Sequence, residues 1–484
     1  MRPGLTILGL GPGSPGLITR EAWEVLERSG EVYLRTQQHP AIRELPQGIR
    51  LHSFDNLYEE MDDFEQVYRA IVDQVSALAD RPQGVVYAVP GDPGLGEATV
   101  TALRERCLSA GRHLHMVHGV SFVEPCLELV GTDALDGLFV GDALDLAGRH
   151  HPPFPPDSPA LLGQLHSPLL ASDVKLVLMS QYPDEHSVFL IHDASTLSAK
   201  VEELPLHEMD HSRSIGGLTA VFVPALPEPS AFESFQEIVA YLRAPNGCPW
   251  DREQTHQSLR QHLLEEVYEA LHALDTGDFV ALREELGDLL LQVVLQSQIA
   301  NEAGEFSMAD VIRAIYAKLV RRHPHVFGET AVSGVEQVLH NWEALKAAER
   351  EAEGDDKGIL AGVPVGLPAL AQAHEMQGRA ARVGFDWPDV NGVLDKVREE
   401  IEEIKAAETS ESIAAEMGDL LFALVNYARW LKLDPEAALQ KANLRFRDRF
   451  ESLERSVRKS GRSLSDLSLA EMDALWEQAK GDET

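Results

Sequence analysis

The sequence predicts an α/β region followed by an all-α region, and three observations lead to this fold class. Residues 1–225 alternate short apolar strands with glycine-containing loops and helices. Residues 232–350 and 363–484 instead hold long stretches in which apolar residues recur at helical spacing. An acidic helical pattern occurs once in each of these stretches, which favours a duplicated unit over two coincidences. We therefore predict three domains, residues 1–225, 232–350 and 363–484.

The predicted α/β domain begins with a strand, a turn and a helix, in the segments LTILGL, GPGSPG and TREAWEVLERSG. Thr19 is the predicted N-cap of this helix, because its hydroxyl can accept a hydrogen bond from the first turn. VVYAV, residues 85–89, is another predicted strand and enters the glycine-rich loop PGDPGLGE. The composition predicts a proline-rich loop at residues 148–160, a linker at 225–232 and a separator between the repeats at 351–368.

The first helical repeat contains QHLLEEVYEALHALDTGDFVALREELGDLLLQ, residues 261–292. Leucines at helical spacing predict two helices, and Thr276, Gly277 and Asp278 predict the turn between them. A short turn makes the helices antiparallel neighbours, and acids three residues apart share a helix face. Four carboxylates are therefore predicted to converge: Glu266, Glu269, Glu285 and Asp288. Like charges about 4 Å apart repel by about 4 kcal/mol at an effective dielectric near 20, so we expect a cation among them.

The second repeat carries the same pattern in DKVREEIEEIKAAETSESIAAEMGDLLFALVNY, residues 395–427. Its corresponding acids are Glu400, Glu403, Glu416 and Asp419. One further glutamate precedes each set, Glu265 in the first copy and Glu399 in the second. Acids on helices usually form solvated faces, but the recurrence of this spacing within apolar stripes weakens that interpretation.

The two copies also share basic and aromatic residues. The segments KLVRRHPHVF and KANLRFRDRF supply cations at matching offsets, Lys318 and Arg322 in the first and Lys441 and Arg445 in the second. The second segment also contains Arg449. A Trp–Asp pair precedes each acidic helix, Trp250 and Asp251 in CPWD, and Asp386 and Trp387 in GFDW. Carboxylates bind a hard cation such as Mg²⁺, and Lys and Arg bind phosphate. With an aromatic ring that can stack on a base, this combination indicates nucleotide hydrolysis.

The combination of EExxE, a following ExxD, CPWD ahead and RRHPHVF behind resembles the MazG-type nucleoside triphosphate pyrophosphohydrolases over residues 232–484. The resemblance implies a four-helix bundle that packs in pairs and converts a nucleoside triphosphate to the monophosphate and diphosphate with Mg²⁺. Mn²⁺ is expected to substitute in part, since it also accepts oxygen ligands. The resemblance also implies that the second copy is the catalytic one, and that copy has the denser basic helix.

This resemblance assigns a role to each of the matching residues. The four acids of each copy would be metal ligands, and Glu265 or Glu399 would orient or deprotonate the attacking water. The cations of the two basic segments would neutralise the departing diphosphate. The Trp–Asp pairs Trp250–Asp251 and Asp386–Trp387 would contact the substrate.

The segments LGLGPGSPGLIT, YAVPGDPGLGEATV, VHGVSFVEP and GGLTAVFVPAL resemble the glycine loops and closing strand of the tetrapyrrole methylases. With the repeats, the whole chain resembles the YabN-type fusion of a methylase-like domain with MazG repeats. The resemblance implies two α/β lobes that bind S-adenosylmethionine between them. The implied cofactor residues are Leu10, Gly91, Asp92, Ser121, Thr219 and Ala220. Methylases of this family commonly carry an acid at the position of Ser14. The absence of that acid argues against methyl transfer but leaves cofactor binding possible.

The composition of the chain limits the class of protein, its cellular compartment and the partners that it can bind. A hydrophobic content of 44% and a charged content of 25% indicate a soluble globular protein, and no apolar run reaches the length of a membrane helix. Three cysteines form no CxxC motif and leave an odd count, which favours a reducing cytoplasm. A net charge of −36 argues against binding to duplex nucleic acid. It does not argue against a nucleotide, whose charge a metal would mask.

Three hypotheses follow. The chain is a Mg²⁺-dependent nucleoside triphosphate pyrophosphohydrolase with a methylase-like domain attached, or a methyltransferase whose repeats serve dimerisation, or a sensor that binds nucleotides without turnover. Long amphipathic helices predict a homodimer, although the two repeats could instead pair within one chain. The preferred base and sugar and the methyl acceptor are not specified by any of these patterns.

Overall fold

The structure, a computed structural model, consists of two compact units, Met1–Glu253 and Gln254–Thr484. It describes residues 4–61, 63–335, 337, 338, 341, 342, 344, 345, 349 and 358–481. Residues 351–357 of the predicted separator and residue 350, the predicted end of the first repeat, lie outside these residues. The first unit is α/β and the second is helical, so the predicted fold class is confirmed.

A five-stranded parallel sheet forms the first lobe of the first unit. Its strands are β1 (Leu5–Gly9), β2 (Glu31–Leu34), β3 (Arg50–Ser53), β4 (Val85–Val89) and β5 (Leu114–Val117). They are ordered β3-β2-β4-β1-β5, and each neighbouring pair is parallel. β1 and β4 are buried along their whole length, as expected for central strands covered on both faces. Because the strands are parallel, the loops that follow β1, β4 and β5 leave from the same edge.

Helices cover both faces of this sheet. They are α1 (Arg20–Glu27), α2 (Asp55–Glu60), α3 (Phe64–Ala79) and α4 (Ala98–Ser109). Leu26 of α1 packs with Leu8 and Val32 on one face, while Ile71 of α3 packs with Tyr87 on the other. The predicted N-cap is confirmed, since the Thr19 hydroxyl accepts a hydrogen bond from the Ala22 backbone at 3.2 Å.

A second, mostly antiparallel sheet forms the other lobe. Its strands are β6 (Phe139–Asp142), β7 (Ala160–Gly163), β8 (Ser187–His192), β9 (Lys200–Pro205) and β10 (Thr219–Val223). The order is β6-β7-β10-β8-β9, with only β6 and β7 parallel. Three helices accompany this sheet, α5 (Val123–Val130), α6 (Ala143–Ala147) and α7 (Pro168–Leu178). Cys126 of α5 packs with Leu161 and Ile191 of this sheet, so α5 covers part of the second sheet.

The first unit continues past the predicted linker into α8 (Phe232–Arg243) and α9 (Pro249–Glu253). Asp157, at the end of the proline-rich loop, accepts hydrogen bonds from the Ala231 backbone at 3.4 Å and the Ser234 hydroxyl at 2.5 Å. The start of α8 is therefore held by a side chain 77 residues away in sequence. The proline-rich loop and the predicted linker form one packed region within the first unit.

The second unit contains two helical hairpins and their flanking helices. The first set is α10 (Arg260–Thr276), α11 (Phe279–Ala303), α12 (Met308–Arg322) and α13 (Pro324–Phe327). The second set is α14 (Ala369–Arg382), α15 (Val390–Ala406), α16 (Ser410–Trp430), α17 (Pro435–Lys459) and α18 (Leu469–Gly481). The predicted turn between α10 and α11 is confirmed, with Gly277 left-handed at φ 70° and Asp278 capping α11.

The second unit leaves large apolar side chains in solvent. Leu264 and Leu274 on α10 are 52% and 57% exposed, and Leu421 on α16 is 47% exposed. The four buried apolar clusters of the described chain contain residues of the first unit only. An amphipathic helix gains most of its stability by burying its apolar face, so these faces need a partner surface. No helix in the described ranges is both long and apolar enough to cross a membrane.

Candidate functional site

Three acids of the first repeat converge where α10 and α11 lie side by side. Glu266, Glu285 and Asp288 each offer a carboxylate oxygen, and these oxygens lie within 4.8 Å of one another. Glu269 shares the α10 face with Glu266 but is not part of this three-residue group. We call this group the first acid cluster.

The second repeat repeats the arrangement on α15 and α16. Glu400, Glu416 and Asp419 offer oxygens within 4.8 Å of one another, and we call this group the second acid cluster. Glu403 is not part of that three-residue group. Glu400 is only 3% exposed, and its Oε2 is buried without a hydrogen-bond partner. A buried carboxylate oxygen with no donor is costly unless a ligand satisfies it.

The electrostatics of the first acid cluster disfavour its fully charged state, and the same holds for Glu403, which interacts with Glu400 and Glu416 of the second cluster. The pKa of the Glu266 carboxyl is raised, first by desolvation and then by Asp288 and Glu269. Desolvation also raises the pKa of Glu285, with Glu269 and Asp288 as further causes. In the second repeat the pKa of Glu403 is raised by desolvation, which outweighs the opposing effect of Lys396. A divalent cation would relieve this repulsion in either repeat.

Lys396 joins the second acid cluster, and sequence analysis did not identify it. Its Nζ lies 2.7 Å from Glu400 Oε1 and 2.9 Å from Glu399 Oε1. Hydrogen bonds to Glu400 and then Glu399 raise the pKa of this ammonium group. The sequence spacing could have predicted these ion pairs, because Lys396 lies three residues before Glu399 and four before Glu400 on one helix.

A cavity of about 790 Å³ lies beside the second acid cluster. Glu400, Asp419 and Lys396 form one part of its wall, and Asp386 and Trp387 of the GFDW motif form another. The Asp386 carboxylate does not point freely into this space. It accepts hydrogen bonds from the Arg429 guanidinium and, at 3.3 Å, from the Trp430 indole.

Trp387 is held against the helix that carries the acids. A Cβ added to Gly392 would lie 2.7 Å from Trp387 Cε3, closer than real Cβ contacts allow. Gly392 on α15 thus permits the ring to pack directly on the helix backbone. The structure brings Asp386 and Trp387 together with Glu400 and Asp419 of the second acid cluster around one cavity.

Trp250 and Asp251, the corresponding pair of the first repeat, lie in a different environment. Trp250 is 56% exposed, and the Asp251 backbone carbonyl accepts a hydrogen bond from Arg243 Nη1 at 2.5 Å. Both residues belong to α9, which is the last helix of the first compact unit. The first acid cluster belongs to the second unit.

The predicted phosphate-binding cations lie on other helices and have varied partners. Lys441 on α17 forms an ion pair with Asp275 of α10 at 3.3 Å, which joins the two repeats. Arg449 Cζ lies 5.9 Å from the centre of the Trp476 ring. Arg322 contacts Glu349 at 2.5 Å through Nη2, while Lys318 and Arg445 are exposed. The helix bearing Arg322 ends at that residue, and Pro324 begins the short helix that follows.

In the first unit, the glycine loops after β1, β4 and β5 meet at one edge of the parallel sheet. A Cβ on Gly9 or Gly119 would lie 2.5 or 2.2 Å from the Gly91 carbonyl oxygen, so only glycine allows this approach. Asp92 Oδ2 accepts a hydrogen bond from the Gly119 backbone at 3.0 Å and lies 3.0 Å from His118 Nδ1. The predicted loops are thus tied together.

The other predicted cofactor residues occupy distinct positions. Leu10 is buried and donates its backbone N–H to Val89, and the Ser121 hydroxyl donates to Glu124 at 2.5 Å. Thr219 and Ala220 lie on β10 of the second sheet. The Thr219 hydroxyl is buried between His192 Nδ1 at 3.0 Å and the Gly216 backbone at 2.9 Å.

Comparison with protein families matches both units. Residues 4–210 match the sequence model of the tetrapyrrole (corrin/porphyrin) methylases. Residues 254–327 match the model of the MazG nucleotide pyrophosphohydrolase domain. The second match contains the whole first acid cluster.

Three relatives cover the chain in different ways. It is 40% identical to the uncharacterized protein YabN of Bacillus subtilis (strain 168) over 490 residues, which is 98% of each chain. It is 46% identical over 255 residues to a nucleoside triphosphate pyrophosphohydrolase/pyrophosphatase MazG of Thermotoga maritima, 52% of this chain and 97% of that protein. It is 46% identical over 252 residues to the nucleoside triphosphate pyrophosphohydrolase of Escherichia coli (strain K12), 51% of this chain and 95% of that one.

Proposed function

Because this chain belongs to the YabN family, in which a tetrapyrrole methylase domain is fused to a MazG region, we propose that it hydrolyses nucleoside triphosphates to monophosphate and diphosphate. One observation carries this proposal. Two clusters of three carboxylates, each gathered within 4.8 Å, occupy equivalent positions in two helical hairpins. The pyrophosphohydrolases of Thermotoga maritima and Escherichia coli align with this helical half.

The donor atoms of both clusters suit Mg²⁺. They are carboxylate oxygens only, and the unpartnered Glu400 Oε2 is an available ligand atom. Glu266, Glu269, Glu285 and Asp288 would hold the metal in the first repeat, and Glu400, Glu403, Glu416 and Asp419 in the second. When bound, Mg²⁺ offsets the triphosphate charge and acidifies a water molecule. Mn²⁺ would substitute in part.

The remaining steps belong to side chains of the chain itself. Glu399 in the second repeat, or Glu265 in the first, accepts the proton of the water that attacks the α-phosphorus. The bond to the bridging oxygen of the β-phosphate breaks, and the diphosphate leaves. Lys441, Arg445 and Arg449, or Lys318 and Arg322 in the first repeat, stabilise the negative charge on the departing group.

Diphosphate release from a panel of nucleoside triphosphates tests this function. We expect release with Mg²⁺ and loss of release in excess chelator. Retention of full activity in chelator would contradict the metal assignment. Binding of nucleotides without any release would identify the chain as a sensor, which is the alternative hypothesis.

A second function, binding of S-adenosylmethionine or its demethylated product by the first unit, is favoured by the convergence of its glycine loops. Gly91 has φ 65° and open space around it, which leaves room for a ligand beside the loop. Leu10, Asp92 and Ser121 would border the cofactor. Thr219 and Ala220 would contribute backbone from β10, since the Thr219 hydroxyl is already engaged. Titration calorimetry of the full chain with both ligands tests binding, and labelled methyl transfer into cell extract tests turnover.

The exposed apolar helix faces of the second unit support a homodimer as the working form. A second copy of the same faces is the partner that this proposal assigns to them, because identical amphipathic helices are self-complementary in a two-fold dimer. The alternative, in which the two repeats satisfy each other within one chain, leaves the exposed leucines of α10 and α16 without an apolar partner.

A further inference from the structure

The cavity beside the second acid cluster has the size and lining of a nucleobase site. It measures about 790 Å³, and Phe385, Trp387 and Phe422 contribute aromatic rings to its wall. Cavities that bind small organic ligands are mostly apolar and carry a few fixed polar groups that set specificity. Two amide side chains, Asn426 and Gln377, are such groups here.

The orientation of the Asn426 amide is fixed by its neighbours. Arg429 donates to Asn426 Oδ1 from Nε at 3.0 Å and from Nη2 at 2.8 Å. A guanidinium has donors only, so the amide oxygen must face it and the NH₂ group must face away. Arg429 is itself anchored by its ion pair with Asp386. Asn426 Nδ2 has no protein partner in the part of the chain that the structure describes.

Gln377 is fixed in the opposite sense. Its Nε2 donates to the Phe422 carbonyl at 2.7 Å, which can only accept. Its Oε1 is buried without a hydrogen-bond partner, and the residue is 7% exposed. The cavity wall therefore combines an oriented N–H donor with an unsatisfied acceptor, and a buried unsatisfied acceptor calls for a ligand donor.

We propose that Asn426 reads the nucleobase through this fixed N–H donor, and that the preferred bases carry a carbonyl oxygen at the ring carbon where cytosine and adenine carry an amino group, as in uracil, thymine, guanine and hypoxanthine. The inference rests on the proposed hydrolysis at the second acid cluster. Exocyclic groups project furthest from the ring and meet the donor first. A carbonyl accepts this hydrogen bond, whereas the amino group of cytosine or adenine brings two donors together. Gln377 Oε1 then accepts the ring N–H next to that carbonyl.

Asp386 and Arg429 act as positioning residues in this scheme. Their ion pair holds the Asn426 oxygen and so decides which atom of the amide faces the base. Without the guanidinium the amide can rotate and present either atom, and the discrimination between carbonyl and amino groups falls. In this proposal Asp386 acts on the substrate indirectly, whereas the sequence predicts a direct contact.

Comparison of UTP with CTP tests both contacts together, since uracil carries a carbonyl oxygen and a ring N–H where cytosine carries an amino group and a ring nitrogen that only accepts. Substitution of Asn426 then separates its contribution from that of Gln377. For the full chain with Mg²⁺ we expect kcat/KM for UTP to exceed that for CTP by about tenfold or more, because a polar group that a bound base covers without pairing is costly. Asn426→Asp keeps an oxygen towards Arg429 and replaces the donor by an acceptor. We expect this variant to lose or reverse the preference. Arg429→Met should reduce the preference while UTP remains a substrate.

Asn391→Asp is the matched control, since Asn391 is exposed on the first turn of α15 and does not border the cavity. It should keep the UTP preference of the original chain. Asn426→Ala provides a second test, in which the UTP rate falls without a gain for CTP. An equal UTP-to-CTP ratio in the original chain and the Asn426→Asp variant would overturn the inference and leave the hydrolase proposal intact. Failure of the original chain to hydrolyse either nucleotide would overturn the proposed function as well.

Discussion

At the scale of single residues, the sequence was most informative where spacing along one helix sets position. The position of Glu400 beside other acids could be predicted, because acids at helical spacing share a helix face. The occurrence of this spacing in both repeats indicated that it is not random. The contact between Arg429 and Asp386 could not be predicted, because 43 residues separate them in sequence. Nothing in the local pattern specifies how a side chain of α16 meets a loop before α15.

The first prediction concerns the acids of the second repeat. Glu403→Gln and Asp419→Asn should each lower turnover by a factor of roughly a hundred or more, if the lost metal contact costs about 3 kcal/mol of barrier. Diphosphate release under saturating Mg²⁺ measures this. Glu402→Gln is the matched control, because Glu402 lies on the same helix and pairs with Lys405 at the surface. An equal loss in the control would remove the case for a specific metal site.

The second prediction compares the two repeats. Glu269→Gln and Asp288→Asn should cost much less activity than the substitutions in the second repeat, because the second repeat carries the denser basic helix. The same diphosphate assay decides, run on both sets of variants. If the first-repeat substitutions prove the more damaging, the catalytic role passes to the first repeat.

At the scale of helices and strands, sequence patterns predicted most of the elements. They did not predict the side-chain contacts that hold the start of α8. The strand at residues 85–89, the turn at Gly277 and the end of α12 before Pro324 follow local rules and were predictable. The hydrogen bonds from the Ala231 backbone and the Ser234 hydroxyl to Asp157 were not predictable, because Asp157 lies in a loop far away in sequence. As a result, the first compact unit extends to Glu253, well beyond the apparent linker.

The third prediction follows from these hydrogen bonds. Asp157→Ala should destabilise the start of α8 by about 1 kcal/mol, the usual net contribution of a hydrogen bond to stability, because Asp157 accepts from the Ala231 backbone and the Ser234 hydroxyl. Hydrogen exchange of the backbone amides at residues 231–235 should become faster, while exchange in β1 and β4 stays slow. Unchanged exchange at these amides would show that the proline-rich loop holds α8 without Asp157.

The fourth prediction concerns the acidic helices and pH. Raised pKa values at Glu266, Glu285 and Glu403 mean that the folded chain binds protons more readily than the unfolded chain. Without metal, these groups therefore reduce stability as pH rises above their ordinary value of 4.5. Mg²⁺ binds the deprotonated carboxylates of the folded state and should reverse that loss.

Thermal unfolding at pH 5 and pH 8, with and without Mg²⁺, provides the measurement for this fourth prediction. The increase in Tm caused by Mg²⁺ should be larger at pH 8. It should shrink in a variant that carries both Glu266→Gln and Glu403→Gln. An increase of the same size at both pH values would separate metal binding from these carboxylates.

At the scale of the whole molecule, the sequence predicted an α/β region followed by a helical region. It did not predict that the buried apolar clusters of the described chain all lie in the first unit. Leucine-rich stripes were visible in the second unit, and a stripe alone predicts burial. The sequence of one helix does not specify which surface covers its apolar stripe, because that surface belongs to another part of the chain or to another chain. In the described chain the stripes of α10 and α16 remain open.

The fifth prediction tests the proposed partner of these stripes. Light scattering at micromolar concentration should give about twice the chain mass of 53.3 kDa. Leu264→Glu with Leu421→Glu should shift the protein towards the monomer, because charged groups would then be buried in an apolar interface. Leu197→Glu, in the first unit and fully exposed, is the control. A clean mass near 53 kDa for the unmodified chain would reject the dimer.

The uneven core also has a consequence for how the protein is made. During synthesis the first unit leaves the ribosome first, and it carries all four buried apolar clusters of the described chain. It can fold before the helical half has emerged, since domains generally fold as units in order of synthesis. The helical half then arrives last, with open leucine stripes and a folded domain already attached. That order would keep the nascent helices in solution until a second chain reaches them, so a truncated chain starting at Gln254 should express with more aggregation than the full chain.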